Sequence, residues 1–182
     1  HFNLGSILIN LGKLQEAEIS TRKAIEIKPD YAEAHSNLGS ILRDLGKLQE
    51  AEISTRKAIE IKPDFAEAHS NLGIILRDLG KFDNAIDHLK QTLKLNNQST
   101  IAKMALITSK GFICDWSDAV THKIWLKSIG IEGKSVNPLG LFYYEDNPLK
   151  QLKRSKNFYQ EKYTRPTKDI LSSKKDKIHI GY

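Results

Sequence analysis

The chain has 182 residues, 40% of them hydrophobic and 27% charged, with a formal net charge of +6, which is the balance of an ordinary globular or repeat protein. No apolar run approaches the ~20 residues of a membrane-spanning helix, so a membrane role is not expected. A single cysteine, Cys114, excludes an internal disulfide framework and a multi-cysteine metal site and favours a reducing compartment, read here as cytoplasmic.

In chain order the dominant feature is internal repetition. The stretch from Gly12 to Gly39 recurs from Gly46 to Gly73 with one change, Tyr31 to Phe65, at an offset of 34 residues. That period belongs to the tetratricopeptide repeat, a helix-turn-helix unit. Counting from Ala32, Leu38, Gly39, Ala51, Ala58 and Pro63 occupy the small and apolar positions that the repeat requires. The preceding unit keeps Leu4, Gly5, Ala17, Ala24 and Pro29, but it enters inside its first helix, as a cut-off repeat would. The following unit keeps Leu72, Gly73 and Ala85, then departs at Thr92 and Asn97, a decay expected to loosen the stack.

Each mark has a physical reason. Gly39 and Ala51 carry no bulk and let the two helices of a unit approach. Ala34, Leu38, Ile41, Leu42 and Leu45 give the first helix one apolar stripe, and Leu48, Ala51, Ala58, Ile59 and Ile61 supply the facing one. Gly46 breaks between helices, and Lys62-Pro63-Asp64 ends the second, because proline lacks a donor and disfavours helix before it. Asp30 with Glu33, and Asp64 with Glu67, read as capping pairs for the next helix. One unit cannot bury its own apolar face, so units stack. The expected fold is all-α, a right-handed tetratricopeptide superhelix (an α-α solenoid) over residues 1–98. A divergent capping hairpin covers 99–130, a basic and mostly irregular linker with a helix near 149–163 covers 131–176, and one orphan strand lies at 177–182.

In this architecture the first helices line the concave surface. Glu33, Asn37, Ser40 and Asp44 share one helical face, as do Glu67, Asn71, Ile74 and Asp78, and Asn3 is the equivalent of Asn37 in the first unit. The expected peptide-binding groove therefore comprises Asn3, Asn37, Asn71, Ser40, Asp44 and Asp78. A primary amide offers donor and acceptor together and so can grip a peptide group regardless of sequence. The alternative is that asparagine here only caps or solvates the helix. A carboxylate clamp for a C-terminal peptide is rejected, because it needs Lys and Arg where Glu33, Glu67 and Asn71 stand. His35 and His69 lie one repeat apart without further ligands and read as packing residues, so no metal site is assigned.

After Leu95 the pattern predicts a helix from Ser99 to Phe112 and another from Trp116 to Ile129. Asp115 or Ser117 would cap the second, and Trp116 would close the apolar end of the stack. Charge shifts here: residues 1–122 carry 15 Lys/Arg against 16 Asp/Glu, and residues 123–182 carry 13 against 6. The basic residues are scattered, as on a solvated linker, although a polyanion-binding patch stays open. No nucleic-acid partner is expected.

Cys114-Asp115-Trp116, Ser135 to Leu139, Asp146-Asn147-Pro148, a basic aromatic helix from Leu149 to about Tyr163, and Lys177 to Tyr182 follow in that order. This succession resembles the junction between repeats and catalytic half in the O-linked N-acetylglucosamine transferases and SPINDLY-like glycosyltransferases. The resemblance implies that the asparagines form a ladder and that Lys177 to Tyr182 open a nucleotide-sugar-type domain. By the same resemblance the parent protein uses a UDP-sugar donor to transfer N-acetylglucosamine, or fucose, to Ser or Thr hydroxyls. Catalytic and donor-binding residues would lie beyond Tyr182. No catalytic or cofactor-binding residue is assigned here, and these residues alone are expected to be inactive. The partners are then polypeptide substrates. The alternative reading is a non-enzymatic scaffold that binds partner proteins.

Overall fold

The computed structural model describes residues 13–131 and 147–162, and every regular element among them is an α-helix. The first of two compact units ends at Lys127 and contains α1 (Leu14–Ile27), α2 (Ala32–Asp44), α3 (Leu48–Ile61), α4 (Ala66–Asp78), α5 (Phe82–Leu95), α6 (Thr100–Phe112) and α7 (Ala119–Leu126). The second begins at Ser128 and contains α8 (Pro148–Lys162). The strand expected at 177–182 lies outside the described residues, as do Asn3 and the segment Ser135 to Asp146.

The turns follow from glycine chemistry. Gly46 and Gly80 adopt φ of 77° and 75°, which a side chain disfavours. Around each, Lys47 N–H bonds Leu42 O and Lys81 N–H bonds Leu76 O, both at 2.8 Å, while the glycine N–H bonds Arg43 O or Arg77 O at 2.9 Å. This paired closure satisfies the last carbonyls of α2 and α4. Gly39 and Gly73 serve close packing instead. A Cβ on Gly39 would lie 1.9 Å from Thr55 Oγ1, and one on Gly73 would lie 2.6 Å from Leu89 Cγ. Both would also sit 3.2 Å from a backbone oxygen of the opposing helix, Ala51 O or Ala85 O.

The core runs through the stack as the stripes predict. Leu38, Leu42 and Ala51 of one unit pack with Ile75 of the next, flanked by Ile25 and Leu79. Leu72, Leu76 and Ala85 form the following layer with Ile59 against it. Each fully buried leucine stabilises by roughly 1.5–3 kcal/mol. The third unit does not loosen. Ile86, Leu89, Ala102, Ala105 and Leu106 form a closed cluster, and the Ala58-to-Thr92 departure is absorbed because buried Thr92 donates its hydroxyl to His88 O at 3.1 Å.

Three local expectations fail. The caps of α2 and α4 are Tyr31 and Phe65, and neither Asp30 nor Asp64 accepts a capping hydrogen bond. Each helix starts two residues after the expected cap, at Ala32 or Ala66, leaving the aspartate outside it. Lys28 and Lys62 lie over the Tyr31 and Phe65 rings, 5.3 and 5.0 Å from the centroids. Next, α7 is shorter than Trp116 to Ile129 and no side chain caps it. Asp115 Oδ1 accepts instead from Ser117 N at 2.9 Å, and Asp115 and Asp118 both pair with Lys110 Nζ, at 2.9 and 2.5 Å. Finally, Trp116 is 54% exposed, and it is Trp125 that packs on the end cluster. The cap on α6 does form: Ser99 Oγ accepts from Ala102 N at 3.2 Å.

In the second unit Asn147 Oδ1 accepts from Lys150 N at 3.1 Å and Pro148 follows, a favoured start for α8. Its buried side is polar: Arg154 Nε donates to Ile129 O at 2.9 Å and Asn157 Nδ2 to Gly130 O and Ile131 O at 3.1 Å.

Candidate functional site: one face of the first helices

Helices α2 and α4 have the same sequence except for Ser40 against Ile74, so equivalent side chains leave them at equivalent places. At about 100° per residue, Glu33, Asn37, Ser40 and Asp44 fall within a sector of about 60° on α2, and the same holds for Glu67, Asn71, Ile74 and Asp78 on α4. Asn37, Ser40 and Asn71 are half-buried, while Asp44 and Asp78 are exposed.

The two asparagines differ in their bonding. Asn71 Nδ2 donates to Ser36 Oγ at 3.1 Å, so this amide spans the seam between α4 and α2. It keeps its carbonyl oxygen and its second N–H. Asn37 forms no side-chain hydrogen bond with another described residue. Ser40 stays polar at the edge of the face, whereas Ile74 packs against the cluster around Leu89.

The aspartates are not bare carboxylates. Arg43 Nε and Nη2 donate to Asp44 Oδ1 at 3.1 and 2.6 Å, and Arg77 makes the same pair with Asp78 at 3.1 and 2.8 Å. Glu33 lies 3.6 Å from Lys62. At the aspartates the face is thus dipolar, because Asp44 and Asp78 are each matched by an arginine one residue earlier, and Glu33 is matched by Lys62. Such a surface, with amides between neutralised charges, favours an uncharged polar ligand such as a peptide backbone over a strongly charged one.

His35 and His69 are structural. Each places Nε2 2.9 Å from a proline carbonyl, Pro29 O or Pro63 O, and must donate there. His69 Nδ1 is therefore an acceptor, and it takes the Nδ1–H of His88 at 3.0 Å. Burial holds the His88 pKa below its ordinary value, with His69 and Arg56 adding to the shift. Among the described residues no three His, Cys, Asp or Glu side chains come together as a metal site.

Sequence reasoning missed a second concavity. A groove of about 590 Å³ lies between the second helices α1 and α3, with Ile25, Leu38 and Ile53 along it and Arg22, Arg56 and Glu60 at its rim. On α2 His35 lies about 160° and Leu38 about 100° around the helix from Asn37, so this groove is separate from the asparagine face. Its signal was Ile53, an isoleucine on α3 that lines the groove and is 70% exposed.

Comparison with known proteins fits this geometry. The first domain of Spaghetti (RPAP3), solved bound to an HSP90 peptide, is 21% identical with a TM-score of 0.60, over 62% of this chain and 90% of that one. MamA from Desulfovibrio magneticus RS-1 is 19% identical with a TM-score of 0.64, over 70% and 72%. A Thermobaculum terrenum O-GlcNAc transferase mutant is 21% identical with a TM-score of 0.66, over 75% of this chain but 28% of the transferase. At these identities the likeness is one of fold. No curated protein matches the chain in sequence. Residues 1–31, 32–65 and 66–99 match family models of the tetratricopeptide repeat. These matches cover more than half of the 182 residues, and the chain belongs to the tetratricopeptide-repeat family.

Proposed function

We propose that the asparagine face of α2 and α4 holds an extended stretch of polypeptide by its backbone, and that the chain recruits substrate polypeptides for a protein O-glycosyltransferase of the O-GlcNAc transferase kind. The observation that carries the grip is the pair Asn37 and Asn71. They occupy equivalent positions one repeat apart, and each retains amide capacity toward solvent. The succession of tail motifs in the sequence, and the likeness in fold to the transferase from Thermobaculum terrenum, support the glycosyltransferase part. A UDP-sugar donor enters through that resemblance alone. The second reading, an interaction scaffold without chemistry, is favoured by equal likeness to MamA and to the peptide-bound domain of Spaghetti.

Magnitudes make the grip weak but measurable. Each hydrogen bond nets about 0.5–1.5 kcal/mol, against about 4–15 kcal/mol for association. Two rungs alone give loose binding that further repeats would strengthen. Titration of the nitrogen-labelled chain by NMR with unrelated flexible peptides should shift α2 and α4 signals. Asn37→Ala with Asn71→Ala should weaken all the peptides alike while leaving helicity intact. Unchanged binding in that variant removes the grip. Transfer from UDP-N-acetylglucosamine or GDP-fucose to a polypeptide by the complete gene product separates the two readings. In a transferase the double variant should slow reaction on polypeptides and spare very short acceptors. A complete product without transfer leaves the scaffold.

A further inference from the structure

The face that grips backbone in α2 and α4 changes character one repeat later. The positions of Glu67, Asn71, Ile74 and Asp78 become Ile101, Ala105, Thr108 and Phe112 on α6. The rung is gone, since Ala105 is buried in the end cluster and has no polar side chain. Both flanking acidic positions have become apolar without becoming buried: Ile101 is 50% exposed and Phe112 is 67% exposed. Single exposed apolar residues are ordinary on a surface. Two that replace carboxylates at matched positions of one helical face, and stay exposed, form a pattern that burial does not explain. Phe112 is also held in place, because its ring stacks on Phe82 at 5.0 Å between centroids with planes 16° apart. It is therefore an ordered platform with an open side, suited to an apolar side chain.

We infer that the α6 end of the face is an anchor for a bulky apolar residue, preferably aromatic, of the same extended polypeptide whose backbone α2 and α4 hold. The inference rests on that grip, since it is continuous with it in register. It turns a sequence-tolerant groove into one with a preference. Phe112 lies one helix across from Asn71 and about two turns further along. With helix spacings of about 10 Å and a rise of 1.5 Å per residue, the two sites are roughly 14 Å apart. At ~3.3 Å per extended residue, the anchor falls about four residues from the peptide group on Asn71. The partner is a flexible polar segment carrying an isolated Phe, Tyr, Trp or Leu, and a uniformly charged tail is disfavoured.

The test uses two flexible Gly/Ser/Asn host peptides, one with a single central Phe and one with Ser in its place, titrated into the nitrogen-labelled chain. The Phe peptide should bind roughly tenfold more tightly, as burial of one aromatic side chain in a partial site allows. Phe112→Ser should erase that ratio and leave the Ser peptide unaffected, and Phe112→Leu should restore most of it. Asn37→Ala with Asn71→Ala should weaken both peptides and preserve the ratio. A ratio that survives Phe112→Ser and Ile101→Ser overturns the anchor while leaving the backbone grip standing. If the asparagine variant changes neither peptide, the grip fails while an anchor erased by Phe112→Ser stands. If sedimentation shows that Phe112→Ser dissociates a dimer and peptide binding is indifferent to it, a second copy covers this face and the anchor is wrong.

Discussion

The repeated middle of the stack and its closing end are fastened differently. Between the repeated units ionic ties at the edge of the core supplement the apolar packing. Glu18 bonds Arg22 on its own helix and Lys47 in the next unit, and Glu52 bonds Arg56 and Lys81, with N–O distances of 2.8–2.9 Å. One repeat later the place of Glu52 is taken by Ile86, which is 6% exposed and part of the end cluster. The place of Thr55 is taken by Leu89, which is fully buried there. The adjoining turn is then locked by Lys110, 2% exposed, between Asp115 and Asp118. A repeat can add such pairs because its neighbour presents the same partner. At α5 and α6 the positions of Glu52 and Thr55 go to Ile86 and Leu89, and further buried apolar area takes over from the ionic tie.

The largest expected effect tests that contrast. Leu89→Ala should cost about 2–5 kcal/mol, because it empties the centre of the cluster joining α5 to α6. At the equivalent middle position, Thr55→Ala should cost only about 1 kcal/mol. The Thr55 hydroxyl bonds Ala51 O within its own helix, at 2.8 Å, and ties nothing together. Chemical denaturation followed by helical circular dichroism measures both. Equal losses would break the comparison.

The same contrast explains what could be read from the sequence. The period, the inter-helix turn at Gly46, the close approach at Gly39 and the equivalent positions of Asn37 and Asn71 on α2 and α4 were legible, because each follows from local spacing repeated on one helical template. The misses depend on non-local geometry. Trp125 closes the stack in place of Trp116 because the Lys110–Asp115–Asp118 lock sets where α7 begins, and no local pattern encodes that. Asp30 and Asp64 looked like caps because the distance to Glu33 and Glu67 was right, but the helix start was off by one residue. The arginine partners of Asp44 and Asp78 stand next to them in sequence and could have been found by charge matching. The His69–His88 bond crosses two helices and replaces the contact of the earlier unit, where Ser54 donates to His35 O at 3.0 Å.

That replacement gives the end a pH dependence through His88. Burial, with His69 and Arg56, depresses the folded pKa of His88 below 6.5, and Asp87 and Glu52 only partly oppose this. The unfolded chain therefore binds the proton first. Stability is fully present above the unfolded pKa of about 6.5 and is lost as pH falls from there toward the folded value. His88→Ser restores the residue of the earlier unit and should flatten part of this loss between pH 7 and 5, measured as the denaturation midpoint against pH. Some slope should remain, because burial also holds His122 below its ordinary pKa. An unchanged profile would show that His88 does not set this dependence.

The smallest effect is expected at the ionic ties. The hydrogen bond from Lys81, then that from Arg56, holds Glu52 below the usual carboxylate range against the opposing effect of burial, and Lys47 and Arg22 do the same for Glu18. Their partners are about half exposed, at 44–51%, so water and salt screen both pairs. Glu18→Gln and Glu52→Gln should each cost no more than about 1 kcal/mol, by similar amounts, and the cost should shrink in high salt. Equality is the informative part, because the two sites differ only in their neighbours along the stack. A larger, salt-insensitive loss at Glu52 alone would mean that the surface tie nearest the end is coupled to the apolar cluster. The two modes of fastening would then be a single cooperative one.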